Sequence, residues 1–309
     1  MAGVSGHSGL VKQIAEHIRF RPALALMALG AALVASPAFA GVEMSMQDRD
    51  VARSVSLGGS CNRCELSGRN LTGATFTGAS FMNATLVGAN LRGAEMMGSN
   101  FASSDFTHAD MRGVEIMGGN FTASAFVGAN LSGASSTGAN FTRANFTRAN
   151  LSSAELMGAN MNGATLSEAN LNDAELMGTT LANVSARSAS FVGAEMQAAN
   201  MRGGDFTGAN FNGAEMDNAQ FTGGVFVRAN FAGASLRRVD MRGVDLSRAQ
   251  GLTQDQVSTA CGDDTTRLPG GLRAGPCRGR TVLRVSPPAP PAPPRTPSPP
   301  VIRHYATAD

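Results

Sequence analysis

A large apolar residue falls at every fifth position from Leu66 to Leu246, without a break in register. Of these 37 centres, 35 are Leu, Phe, Met or Ile, and Ser136 and Ala186 are the exceptions. The residue two before the centre is Ala in 24 of the 37 units. Fourteen of the sixteen Phe in the chain sit at centres, an arrangement that propensity alone does not produce. A period of five fits neither the 3.6 of an α-helix nor the 2.0 of a flat strand. It fits a chain that bends every five residues, with the centre and the small residue two before it facing inward and the other three facing outward. Such a chain coils, and each coil stacks on the last.

A second, slower period gives the size of a coil. Ala94-Glu95-Met96-Met97-Gly98, Val114-Glu115-Ile116-Met117-Gly118, Ala154-Glu155-Leu156-Met157-Gly158 and Ala174-Glu175-Leu176-Met177-Gly178 recur at multiples of twenty residues, and Glu195 and Glu215 continue the row. Twenty residues are four units, so each coil has four sides and residues twenty apart stack. At ~4.8 Å per rung, about nine coils make a rod roughly 45 Å long. Four sides converge on a narrow interior that admits one large side chain per side, which is why the inward neighbour is small. Arg69 breaks that rule and predicts an irregular first coil. Ser136 and Ala186 leave either a void or room into which Phe126 and Phe206 lean. Asn precedes the centre at 90, 130, 150, 170, 210 and 230 on one side and at 100, 120, 140, 160 and 200 on the opposite side. Stacked amides of this kind are expected to hydrogen-bond along the rod axis.

Units such as Ala89-Asn90-Leu91-Arg92-Gly93 and Ala139-Asn140-Phe141-Thr142-Arg143 resemble the pentapeptide-repeat family, whose pattern is a small residue, Asn or Asp, Leu or Phe, then two variable positions. The resemblance covers residues 64–248 of the 309. It implies an all-β fold, a right-handed quadrilateral parallel β-helix; the hand comes from the resemblance and not from the periodicity. The stretch from Ala249 through Val257 to Leu268-Pro269 is also similar to the ending of many bacterial members. Within it, Thr253 and Gln256 read as a capping box that opens a short helix over the last coil, whose open edge would otherwise invite strand pairing.

Outside the rod the chain divides into a leader at 1–40, a lead-in at 41–63, a C-terminal cap at 249–282 and a tail at 283–309. Lys12, Arg19 and Arg21 precede an apolar run from Ala23 to Ala35, and Ala38-Phe39-Ala40 is a small-x-small cleavage site. That layout is a secretory signal peptide, too short for a stable membrane span. It predicts an exported protein, periplasmic or secreted, that begins near Gly41; an uncleaved anchor is the alternative. Nine of the thirteen Pro lie between Ser286 and Pro300, which predicts an extended, disordered tail.

Four cysteines in an exported chain point to oxidation. Cys61 and Cys64 fall at inward positions at the start of the rod, and Cys261 and Cys277 are spaced to close a loop over the cap. Four cysteines allow three pairings, and the sequence does not choose among them. Catalytic constellations are missing: His108 is the one His in the rod, and no Ser has a His and a carboxylate as partners. The reading is a non-enzymatic chain with no cofactor, no metal and no catalytic residue.

Charge narrows the partner class. From 64 to 248 there are fifteen acidic and twelve basic residues, a net of −3, in a chain whose overall formal charge is +2. The basic residues Arg143, Arg148, Arg237, Arg238 and Arg242 are too scattered for a nucleic-acid stripe. The candidate partner-binding strip is the row Glu95, Glu115, Glu155, Glu175, Glu195 and Glu215, bordered by Met97, Met117, Met157 and Met177 and interrupted at Ser135 and Ser235. Copper held by stacked thioethers is disfavoured by the hard Glu ligands beside them; a row left by repeat duplication is the plain alternative. These features favour a structural or protein-interaction scaffold in the cell envelope with an unidentified protein partner, and rod ends through which two copies would form a homodimer. The resemblance implies one competing reading, a DNA-mimicking binder of a type II topoisomerase that protects gyrase. Against it stand the export signal and a net charge far below that of a duplex.

Overall fold

The computed structural model describes residues 60–277. The expected leader, nearly all of the lead-in and the Pro-rich tail lie outside the described residues.

One unit shows how the coil is built. Leu91 points into the core, and Gly93 is left-handed at φ 60°. The Ala94 N–H donates back to the Leu91 carbonyl at 3.0 Å, so the three residues after the rung close a β-turn. Between turns only one residue per side is left to pair. Asn90 donates its N–H to Arg69 on the preceding coil at 2.9 Å, and Leu91 donates to Asp110 on the next at 2.7 Å. The β-structure of the rod is therefore a stack of single parallel bridges between residues twenty apart, such as Asn90↔Asp110, Glu95↔Glu115 and Asn100↔Asn120. The repeat is short enough that longer strands have no room to form.

Every third turn residue from Arg63 to Gly243 has positive φ, 21 times as Gly and 16 times as another residue, Ala123 and Arg143 among them. Positive φ brings Cβ against the following carbonyl, so those sixteen positions carry strain that the stacking holds in place.

The interior is continuous from Cys64 to Leu246. Phe rings form columns: Phe81, Phe101, Phe121 and Phe141 stack at 5.1, 5.7 and 5.5 Å, and Phe106, Phe126 and Phe146 at 4.9 and 4.7 Å. A second set, Phe191, Phe211 and Phe231, stacks at 5.0 and 5.2 Å. Most buried hydroxyls at small-residue positions are satisfied by the coil below, as when Ser104 donates to the Phe81 carbonyl at 2.8 Å and Thr179 to Leu156 at 2.8 Å.

Two expectations change. Arg69 does not disturb the first coil: its N–H closes the usual turn onto Leu66 and its carbonyl accepts from Asn90. The side chain is only half-buried, so the long stem leaves the interior and the backbone keeps register. Nor do the neighbouring rings lean into the two small centres. Phe126 lies parallel to Phe106 and Phe146, within 2° and 5°, and Phe206 is within 8° of Phe226. Ser136 is fully buried, and its Oγ has no hydrogen-bond partner.

Beyond the last full coil the chain closes its own end. Helix α1, Gln254–Ser258, starts with Thr253 as N-cap in a reciprocal capping box with Gln256. Gln256 also donates to the Phe231 and Ala234 carbonyls, both at 2.8 Å, and Val257 is fully buried. One side then extends by two further rungs. Asp240 bridges Cys261, and β1, Cys261–Gly262, pairs in parallel with β2, Gly275–Pro276. The four cysteines pair as Cys61–Cys64 and Cys261–Cys277.

A candidate interaction face

The ladder leaves one backbone donor per unit without a partner, the N–H of the residue after the centre. On the two Asn-bearing sides the rung side chain supplies the acceptor. Asn150 Oδ1 takes the Ser152 N–H at 3.1 Å, and Asn140 takes Thr142 at 3.1 Å; Asp110 does the same for Arg112 at 3.4 Å. The expected amide ladder exists in addition, but only where Asn stacks on Asn. Asn120 donates to Asn100 at 3.0 Å, Asn170 to Asn150 at 3.1 Å and Asn230 to Asn210 at 3.1 Å. Asp110 and Ser190 interrupt it, since neither side chain has an amide.

The Glu side is built on the same backbone and behaves differently. Glu95 bridges Glu115, and Glu155, Glu175, Glu195 and Glu215 bridge in succession. None of these carboxylates turns back to its own unit. Among the described residues, the N–H groups of Met97, Met117, Met157 and Met177 have no protein acceptor. Three of the carboxylates take a neutral donor: Thr75 reaches Glu95 at 3.4 Å, Ser135 reaches Glu155 at 2.9 Å and Gln197 reaches Glu215 at 2.7 Å. Glu115, Glu175 and Glu195 have no side-chain partner among the described residues, and none of the six is ion-paired there.

Several acids on other parts of the rod are neutralised locally. Asp110 is held by Arg112, Asp205 by Arg187, Asp240 by Arg242 and Glu168 by Arg148. The Arg112 hydrogen bond keeps the Asp110 carboxyl below the usual range. Burial raises that of Asp217, but hydrogen bonds from Arg237 and Ser235 outweigh it and leave it depressed. The Asp217–Arg237 pair ends the row at its C-terminal side. The sequence reading missed it because Asp217 and Arg237 occupy the outward column in which the earlier coils place Met.

Met117 and Met177 are 38% and 39% exposed, with Met97 and Met157 half-buried beside them. The face therefore presents free carboxylates, free backbone donors and soft apolar side chains in parallel columns. Its interruption is a whole unit, Ala134-Ser135-Ser136-Thr137-Gly138, in which the acid, the centre and the Met position are all replaced. His108 is no part of this face; its imidazole packs over Gly128, in the space a Cβ there would fill. The cap holds a cavity of about 360 Å³ lined in part by Asp263, Asp264, Leu268 and Arg273. Asp263 accepts from Thr265, Thr266 and the Gly243 N–H, and these bonds, led by that of the Thr265 hydroxyl, pull its pKa down to about 2.

The model of the family described as Pentapeptide repeats (8 copies) matches residues 60–96, 86–122, 124–163, 159–197 and 174–213, and that of Pentapeptide repeats (9 copies) matches 206–250. The chain belongs to the pentapeptide-repeat family. Its rod is a right-handed quadrilateral β-helix. Among solved structures, this pentapeptide-repeat protein is similar to HetL, involved in heterocyst differentiation regulation in the cyanobacterium Nostoc sp. strain PCC 7120. The two are 26% identical over 71% of this chain and 98% of HetL, with a TM-score of 0.59. Similarity to QnrB1, a plasmid-mediated fluoroquinolone resistance protein, is in fold alone, at 18% identity over 67% of this chain and 92% of that one, with a TM-score of 0.35. A pentapeptide-repeat protein of the Arabidopsis thaliana thylakoid lumen is 30% identical over 36% of this chain and 70% of its own, with a TM-score of 0.16. No curated protein sequence matches the chain.

Proposed function

We propose that this pentapeptide-repeat protein is an exported, non-enzymatic rod that serves as a protein-interaction scaffold in the cell envelope, and that the Glu–Met side is its docking surface. One observation carries the reading: the six Glu of that side neither cap their own turns nor pair with any Arg among the described residues, while the other carboxylates from Glu65 to Asp245, Asp173 excepted, do one or the other. Unpaired like charges one rung apart repel by roughly 1 kcal/mol in water, a small cost per coil that a cationic partner would reverse. Exposed Met side chains beside them adapt to varied apolar contacts. Membership of a repeat family built on solenoids agrees with a scaffold, since stacked repeats create extended binding surfaces. Duplex mimicry is the poorer reading, because one side of four carries a charge per ~4.8 Å while a duplex carries one per ~1.7 Å.

The test compares two variants of the full chain. Glu155→Gln, Glu175→Gln, Met157→Ser and Met177→Ser together should abolish cross-linking of a photoreactive residue placed at Gln197 to its envelope partner. Four changes on the outward positions of an Asn-bearing side should leave it intact. Equal cross-linking by both variants would sink the reading, as would recovery of the unprocessed chain from the cytoplasm.

A further inference from the structure

The two added rungs at the C-terminal end bring three metal-ligating atoms together. Asp240 bridges Cys261, Cys261 pairs with Gly275, and Cys277 follows Pro276. A carboxylate oxygen of Asp240 and the two sulfurs lie within 4.8 Å of one another, and all three residues are half-buried. Asp240 Oδ1 is 3.9 Å from Cys277 Sγ, while Arg242 donates to Oδ1 at 2.9 Å and to Oδ2 at 2.6 Å. In the oxidised chain the sulfurs are bonded to each other and offer no thiolate.

We propose that reduction of the Cys261–Cys277 disulfide creates a site for a thiophilic divalent metal such as zinc, held by both thiolates and one Asp240 oxygen, with water as the fourth ligand. The step balances as a thiol–disulfide exchange. A dithiol reductant gives up two electrons and two protons and closes to its own disulfide, leaving two Cys thiols; metal binding then displaces their two protons.

Three features favour this cluster. The Cys backbones are fixed 4.7 Å apart by adjacent rungs, with the Cys277 N–H donating to the Gly262 carbonyl. Tetrahedral zinc, with bonds of about 2.3 Å to sulfur, needs the sulfurs roughly 3.8 Å apart, a separation reached by side-chain rotation alone. Charge also closes: two thiolates and a carboxylate carry −3, and the metal with Arg242 carries +3. Arg242 further orients the carboxylate, the usual task of a group that hydrogen-bonds a ligand. The other pair, Cys61–Cys64, has no third ligand of this kind among the described residues. The cap would thus be clipped by a covalent bond when oxidised and by a metal when reduced.

The full chain with Cys61→Ser and Cys64→Ser isolates the pair. After reduction and removal of the reductant without oxygen, titration with cobalt(II) should give one equivalent of a species with near-ultraviolet sulfur-to-cobalt charge transfer and intense visible bands of tetrahedral cobalt. Zinc should displace it, and the oxidised protein should show neither signal. Asp240→Asn should weaken cobalt binding about tenfold, and Cys277→Ser should remove the charge-transfer band; circular dichroism of each oxidised or unreacted variant checks that the rod is folded. Absence of the band from the reduced protein, or its persistence in Cys277→Ser, would overturn the site. Unchanged affinity in a folded Asp240→Asn chain would overturn the three-ligand assignment.

Discussion

The Asn-bearing sides and the Glu side share one backbone and one register, yet the residue before the centre does opposite things on them. On the Asn sides it is turned inward on its own unit, where it satisfies the one N–H that the ladder omits and, where Asn meets Asn, adds a rung of side-chain hydrogen bonds. On the Glu side the carboxylates do not turn back, and the N–H of the Met two residues on has no protein acceptor among the described residues. A solenoid that is stabilised mainly by its core can leave one surface unoptimised, and that is the surface proposed above for docking.

The largest test of this contrast lies beneath the two surfaces. Phe141, stacked on Phe121 under an Asn side, should cost about 3–5 kcal/mol when replaced by Ala, seen as a fall in the denaturant midpoint. Under the Glu side the equivalent change runs the other way. Ser136→Leu removes an orphan hydroxyl and fills a position built for a large residue, and should raise stability by about 1 kcal/mol. A loss instead would mean that the neighbours are packed tightly around Ser136.

At the surface itself the effects are smaller. Asn150→Ala removes the acceptor of the Ser152 N–H and the amide partner of Asn170, and should cost about 1–2 kcal/mol. Glu175→Gln, by contrast, should stay within about 0.5 kcal/mol of the parent and reduce the stabilisation that added salt gives by screening the row. Should Glu175→Gln destabilise as much as Asn150→Ala, the Glu side is structural after all.

Two finer tests concern a strained turn and a carboxylate outside the Glu row. Ala123 holds φ 58° at an exposed turn, so Ala123→Gly should raise the melting temperature slightly by relieving strain of about 1 kcal/mol, part of it offset by the freedom Gly adds to the unfolded chain. Asp263, unlike the Glu row, is wrapped in donors and titrates near 2. Its folded value lies below the unfolded one, so its contribution is complete above about pH 4 and is lost as pH falls through 2. Protection of the Gly243 and Thr265 amides from exchange, referred to the intrinsic rate at each pH, should fall over that window in the parent and show no such step in Asp263→Asn.

The sequence made the coil legible because burial constrains the inward positions in every unit. The apolar centres announced the bend, and the Glu row announced four sides. Outward positions answer to weaker forces, and there the sequence told less. The Asn ladder is present as expected, but the wider task of these Asn is to accept from the N–H two residues on, a local bond with no periodic trace beyond the Asn itself. The sequence reading also passed over the turn position with positive φ, whose signal was present as Gly but diluted by sixteen other residues. Arg69 looked disruptive because residue type does not reveal that a long side chain can leave the interior. The pairing of Cys261 with Cys277 depended on the two extra rungs, which the repeat does not encode.

Bridging between residues twenty apart also restricts how such a rod can lengthen. Inserting one unit of five would turn everything beyond it by a quarter revolution, so that Glu195 and Glu215 would point to a different side from Glu95. Inserting twenty would add a storey and leave every façade in line. A rod that depends on one façade can therefore grow or shrink only by whole storeys, and from Glu95 to Glu215 the phase is kept throughout.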